Sequence, residues 1–275
     1  MQKTPFMLEL AGITDEFTNF DNPRGARKLW DRFESQFATS FTLTDTESIH
    51  YRNFPDGLSK ILYTKINPTS WEISVQEPTE PLSTAYFLKG DIYNQTHGKP
   101  TDIIAAYEAG LHFEPTNVTH AIKLSELYRQ LGRFDDSLRT AKLAWQYASV
   151  PADLANIFVL FASYAQIKLK DLKLASLLLI LSTTFTDDDA YIDLLASIND
   201  QLAKPFDADN IDEDTFDYVS QHDFPVGYND DVEVALAEFG PELIEADLLD
   251  AAKNLYTDLF TLTDDEEYAE ILSEL

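Results

Sequence analysis

A spacing of 34 residues constrains this chain more than any other feature. Gly98 and Gly132 are 34 apart, as are Ile103 and Ser137, Tyr107 and Ala141, and Gly110 and Ala144. The interval returns further on between Ala121 and Ala155, Leu124 and Phe158, and Tyr128 and Ala162. Tyr93 and Tyr128 are 35 apart, which places one extra residue ahead of the first unit's turn. A unit of this length holds two helices, and its apolar face is covered only when a neighbouring unit stacks on it.

The pattern inside a unit agrees. From Ser83 onward, after Pro78 and Pro81, apolar residues fall at helical spacing. Residues 118–131 put Ala121, Leu124, Tyr128 and Leu131 on one stripe. Residues 134–148 put Phe134, Leu138, Ala141, Trp145 and Ala148 on a second. Gly132-Arg133 turns the chain between them and Pro151 closes the unit, which describes an antiparallel helical hairpin.

Leu124, Tyr128, Gly132, Ala141 and Ala144 stand at the spacing of the tetratricopeptide repeat, and Gly90, Tyr93, Tyr107, Gly110 and Pro115 nearly so. The chain thus resembles that family over residues 83–185. A third unit follows helix A through Ala155 to Ala165 but has no Gly at its turn near Lys168-Leu169-Lys170. The resemblance implies an all-α fold, an α-α superhelix of helical hairpins, in which small residues let helix backbones approach.

Outside those units the pattern is less regular. Residues 1–82 form an N-terminal segment in which Gly25 to Phe41 reads as a helix behind Asn22-Pro23, with Leu29, Trp30, Phe33 and Phe37 on one face. Ile61-Leu62-Tyr63 and Trp71 to Val75 fit short strands or helix fragments equally well. The repeat region runs over 83–203 and a third region over 204–275. The longest apolar run, Leu172 to Leu181, contains Lys173 and Ser176 and is shorter than the ~20 residues a bilayer span needs, so it reads as a buried helix. Asp187-Asp188-Asp189 suits a helix start. Phe206 to Asp231 is acidic and turn-rich. A strongly amphipathic helix is expected from Pro241, carrying Leu243, Ile244, Leu248, Ala252, Leu255, Tyr256, Leu259 and Phe260 on one side, and a short one from Asp264 to Leu275.

Charge divides the chain sharply. Residues 187–275 carry 27 acids against two bases, Lys204 and Lys253, whereas residues 1–186 carry 21 acids and 18 bases. No basic cluster is present for a phosphate backbone or an anionic membrane, so neither nucleic acid nor membrane is an expected partner. The chain has no cysteine and no apolar leader, and a cytoplasmic location is the expectation.

Motifs for chemistry are wanting. The five histidines, His50, His97, His112, His120 and His222, form no i, i+4 ligand pair. Gly98-Lys99-Pro100 lacks the spacing of a phosphate loop. Asp207, Asp209, Asp212 and Asp214 invite a calcium reading, but Ile211 and Tyr218 stand where that loop needs oxygen ligands. The expectation is no catalytic residue, no cofactor and no metal.

The resemblance instead implies a groove lined by A-helix residues off the packing stripe. These are Asp91 and Asn94, then Thr119, Ile122, Glu126 and Arg129, then Asn156 and Leu160. An ordinary exposed helix face is the plainer account of the same residues. Phe87, Asp91, Asp153 and Ile157 stand where the family's clamp for carboxylate tails needs Lys, Asn and Arg, which disfavours that ligand. The expected function is therefore that of a non-enzymatic interaction or adaptor protein binding a protein or peptide. The alternative is an acidic masking or chaperone-like protein, a nucleic-acid mimic being one form of it, that holds a basic client through residues 187–275.

Overall fold

The structure, a computed structural model, describes residues 3–68, 72–186, 188–202 and 213–275, the side chains of 213–215 excepted. Over these described residues it is all-α apart from two three-residue strands, and the helices pack as neighbouring pairs in the manner of a helical repeat. The helices are α1 Pro5–Thr14, α2 Pro23–Gln36, α3 Gly57–Ile66, α4 Leu82–Gln95, α5 Pro100–Phe113, α6 Val118–Gln130 and α7 Phe134–Tyr147. They continue with α8 Pro151–Tyr164, α9 Leu172–Thr183, α10 Asp189–Asn199, α11 Glu213–Gln221, α12 Asp230–Glu245, α13 Leu249–Thr263 and α14 Glu266–Glu274. Contacts divide the chain into two compact units, Met1–Ser59 with Asn67–His120, and Lys60–Ile66 with Ala121–Leu275.

In the first unit, α2 is the helix expected over Gly25 to Phe41 but ends at Gln36; it is capped by the Asn22 side chain, which accepts from the Gly25 N–H. It buries Trp30 and Phe33, and Phe33 packs on Phe6 of α1, a helix the sequence pattern does not announce. Of the two undecided segments, Ile61-Leu62-Tyr63 is helical, within α3. Ser74–Gln76 is a strand, β2, parallel to β1 over Ile49–Tyr51; Trp71 lies outside the described residues. Helix α4 has no cap from its own flank. Asn53, thirty positions earlier, supplies one by accepting from the Ser83 N–H at 3.0 Å.

The α4/α5 hairpin shows why small residues recur. A Cβ at Gly90 would overlap the ring of Tyr107, and one at Gly110 the ring of Phe87. The turn between these helices differs from expectation. His97 takes the left-handed conformation (φ 53°) and Gly98 donates to the Tyr93 carbonyl at 2.7 Å. Gly132 (φ 71°) and Arg133, donating to Tyr128 at 2.9 Å, reproduce that geometry in the next hairpin. His97, not Gly98, is thus the partner of Gly132, and the extra residue falls between that corner and the start of α5, after the corner and not before it.

In the second unit the A-helix stripe buries Ala121, Leu124 and Tyr128, but Leu131 lies past the end of α6 and is 43% exposed. The buried face of α7 is rotated from the expected one. It runs through Ser137, Thr140, Ala141, Ala144 and Tyr147, while Phe134, Leu138 and Trp145 are half-buried at its margins. Close approach explains the shift: the Ser125 hydroxyl donates to the Ser137 carbonyl at 2.8 Å, leaving no room there for a large side chain. Pro151 occupies the first turn of α8, so it opens the next unit as well as closing the last. Leu174 to Ser182 of α9 are all buried, with Ser176 bonded to Asn199 and Ser182 to the Ala155 carbonyl. Among the described residues no helix is long and apolar enough to cross a membrane.

The acidic region is folded onto the same unit. Lys142 of α7 donates to the Asp223 carbonyl at 2.7 Å, Trp145 Nε1 to that of Gly227 at 2.8 Å, and Asn229 Nδ2 to that of Gln146 at 2.9 Å. Helix α11 falls inside the stretch expected to be turn-rich. The single helix expected from Pro241 is two. Pro241 lies inside α12, and the chain breaks where Asp247 turns left-handed (φ 58°) before α13 begins. Leu248, expected on the apolar face, is 53% exposed at that break. Asp188 caps α10 by accepting from the Ala190 N–H; Asp187 lies outside the described residues.

Candidate functional site

Four of the eight groove residues come together in one cleft of the second unit. Glu126 and Arg129, three apart on α6, face Asn156, Val159, Leu160 and Ser163 of α8. The spacings within α8 are three, four and seven, which put those four side chains on one helical face. Beyond Tyr164 the backbone widens into a π-helical turn, Ala165–Leu169, which adds Gln166 and Ile167 to the wall. Ala175 and Leu179 of α9, with Leu194 and Ile198 of α10, complete it.

The cleft holds about 280 Å³. Leu160, Ala175, Leu179 and Ile198 form a buried apolar floor. Ile167 and Leu194 at the rim remain 45% and 39% exposed. The volume sits just below the ~300–1,000 Å³ of pockets that enclose a whole small ligand, and suits an anchoring side chain of something larger. At one end the Tyr191 hydroxyl donates to Asn156 Oδ1 at 2.9 Å. That phenol is pushed up by burial and by the negative charges of Asp188, Asp153 and Glu126. The α9 and α10 residues carry no sequence signal as site residues, because only the folded chain brings those helices beside α8.

The remaining groove residues lie elsewhere. Ile122 is half-buried and does not line the cleft. Asp91, Asn94 and Thr119 belong to the first unit, where Asn94 and Thr119 are exposed. Asp91 is held in a polar network. It accepts from the Tyr107 hydroxyl at 2.7 Å and lies 3.5 Å from His120 Nε2. His120 stacks on Phe87 with ring centroids 4.0 Å apart, and its Nδ1 lies 2.9 Å from Asn117 Oδ1. The Asn117 amide donates in turn to Glu114 at 2.7 Å. Burial pushes the Tyr107 phenol far up, reinforced by the bond to Asp91, and pushes Glu114 up against the pull of Ser83, Asn117 and His120. These side chains bond mainly to one another, which makes the network a polar core rather than an open site.

A second cavity in the first unit, about 420 Å³, is walled by threonines and by Leu43, Tyr51, Pro78 and Leu82 and gathers little charge. No group of three or more metal-ligating side chains with suitable geometry occurs among the described residues. The aspartates weighed as a calcium loop, Asp207, Asp209, Asp212 and Asp214, fall outside the described side chains. No family model matches the chain, and no curated protein matches it either.

Proposed function

We propose that this chain is a non-catalytic, tetratricopeptide-like interaction protein whose second unit captures a peptide segment of a protein partner. The observation that carries the reading is the cleft itself. Glu126, Arg129, Asn156 and Leu160, singled out by repeat position, line a hollow with an apolar floor and two exposed apolar rim residues. Ile167 and Leu194 extend the apolar floor to the exposed rim, and an apolar patch beside a hollow is a common mark of a docking surface.

Selection of a random peptide display library on the full chain tests this, with an Ile167→Asp/Leu194→Asp variant beside it. Peptides enriched on the natural chain and lost on the variant support the cleft as the working surface. Enrichment that the variant retains places binding elsewhere and removes the reading.

A second reading, an acidic protein that masks a basic client through residues 187–275, draws on the 27 acids and two bases of that stretch. Client binding that survives high salt would count against it, since charge-driven association weakens as the Debye length shortens.

A further inference from the structure

The first unit carries a cavity that peptide capture by the second unit does not use, and its wall is of a different chemistry. Six residues of the lining carry hydroxyls: Thr39, Ser40, Thr42, Thr44, Tyr51 and Thr79. Three segments bring them together, and each is braced. Ser40–Thr42 form a 3-10 turn in which the Thr42 hydroxyl donates to the Thr39 carbonyl at 2.7 Å. Tyr51 ends β1, its N–H held by Asp45 Oδ1 at 2.8 Å. The stretch from Pro78 to Leu82 is stiffened by Pro78 and Pro81. Asn53 ties it down, donating to the Glu80 carbonyl at 3.4 Å and accepting from the Ser83 N–H at 3.0 Å.

The wall has hydrogen-bonding capacity left over. Among the described residues the hydroxyls of Thr39, Ser40, Thr44, Tyr51 and Thr79 bond to no other group. Glu80, half-buried, is the one charged residue of the lining. The Thr4 hydroxyl donates to its Oε2 at 2.8 Å, and its Oε1 has no donor among the described residues. Leu43, Tyr51 and Pro78, also half-buried, add apolar surface beside these groups.

At about 420 Å³ the cavity lies within the ~300–1,000 Å³ of pockets that enclose a whole small ligand. Its chemistry narrows the class. A carboxylate with no cation in the lining repels phosphates and carboxylates. One carboxylate is also too few ligands for a calcium or magnesium ion. An apolar ligand would cover the hydroxyls and leave them without partners. A neutral polyol meets none of these penalties. Its hydroxyls donate and accept as those of the wall do, and a neighbouring pair can share the Glu80 carboxylate in charge-assisted bonds.

We infer that this cavity binds a neutral saccharide. Glu80 accepts from two adjacent sugar hydroxyls, the threonines complete the polar wall, and Leu43, Tyr51 and Pro78 meet the C–H groups of the ring. It is a binding site and not a hydrolytic one, since glycoside hydrolysis needs a second carboxylate across the bond and the lining has none.

Saturation-transfer NMR on the full chain tests this, with glucose, galactose, mannose, N-acetylglucosamine, maltose and cellobiose as probes at up to about 10 mM. Beside it stand Glu80→Gln and the double variant Thr44→Val/Thr79→Val, whose positions are exposed and whose folding a thermal melt confirms. The expected result is transfer to at least one probe, with binding about tenfold weaker or more in both variants. Glucose 6-phosphate should bind more weakly than glucose, because Glu80 repels its phosphate. Methyl glycosides separate two sources of the ligand: retained binding assigns the cavity to the end of a longer glycan, and lost binding to a free sugar, either of which supports the inference. Transfer to no probe overturns it. So does binding that both variants retain, which places the sugar elsewhere, and so does tighter binding of the phosphorylated probe.

Discussion

Lys170 holds the same left-handed corner before α9 (φ 58°) that Gly132 holds before α7 (φ 71°). In each case the next residue, Asp171 or Arg133, is the N-cap of the following helix. The missing Gly of the third hairpin therefore marks a strained corner and not a missing turn. A residue with a Cβ in this conformation costs roughly 1–2 kcal/mol, partly offset by the greater chain entropy glycine adds to the unfolded state. Lys170→Gly should raise stability by about 0.5–1 kcal/mol in urea denaturation. Gly132→Pro should lower it by about 3 kcal/mol or more, since proline cannot take φ 71° and removes the N–H that bonds the Arg129 carbonyl. Equal stability of the natural chain and the Gly132→Pro variant would refute the corner's assignment.

What the sequence makes legible follows from the same corners. Helix starts announced by side-chain caps, Asn22 and Asp188, stand where expected, because a cap is a local bond between near neighbours. Corners built on His97, Lys170, Asp247 and Asp264 are not announced, because nothing but the fold forces those residues left-handed. The break at Asp247 is why one amphipathic run from Pro241 reads as a single helix and folds as two. On α7 the buried face follows helix contact and not hydrophobicity, so Ser137 and Thr140 lie inside while Trp145 lies at the margin. Repeat position picks out Glu126, Arg129, Asn156 and Leu160, which are neighbours in space, but equally Ile122, which does not line the cleft. The opposition of Asp153 and Asp258 joins residues 105 positions apart through helix packing, and no local pattern encodes it.

The glycines divide into those a helix contact requires and those it does not. Gly110 sits under the ring of Phe87, so Gly110→Ala should cost about 1–3 kcal/mol as the ring is displaced from a packed core. Gly12, inside α1, has open space where a Cβ would go. Gly12→Ala should stabilise by about 1 kcal/mol through helix propensity alone. Opposite signs for the two changes in chemical denaturation are the expected outcome. Stabilisation by both would mean that α4 and α5 do not approach as closely as Gly110 and Phe87 imply.

Ile167 and Leu194 offer a way to separate binding from folding. Both are partly exposed, so Ile167→Asp or Leu194→Asp should lower stability by no more than about 1–2 kcal/mol, short of the cost at a buried core position. If the rim seats a ligand, each change should weaken a selected peptide by about tenfold or more, because anchors at the edge of an apolar hollow lose contact and gain a desolvation cost. Anisotropy titrations beside thermal melts give both quantities. A loss of stability without a loss of affinity would make these residues part of the core and not of a docking surface.

Asp258 gives the protein a pH dependence of definite sign. Its ordinary value is 3.8, and burial, with Asp153's charge behind it, pushes it up to about 6 in the folded chain. The folded state thus binds a proton more tightly than the unfolded state. The stabilisation is complete below pH ~4 and is lost as pH rises through about 6. Asp258→Asn has no proton to lose, so its stability relative to the natural chain should increase between pH 4 and pH 7. The group is half-buried and not enclosed, and solvent screening reduces the full linkage to about 1 kcal/mol. Paired urea titrations at pH 4.5, 6 and 7.5 measure this difference, and subtraction of the two proteins removes the general effect of the net charge of −28. A difference that stays constant across the three values would show that the Asp258 carboxylate is already satisfied at neutral pH. The repulsion between Asp153 and Asp258 would then lose its energetic basis.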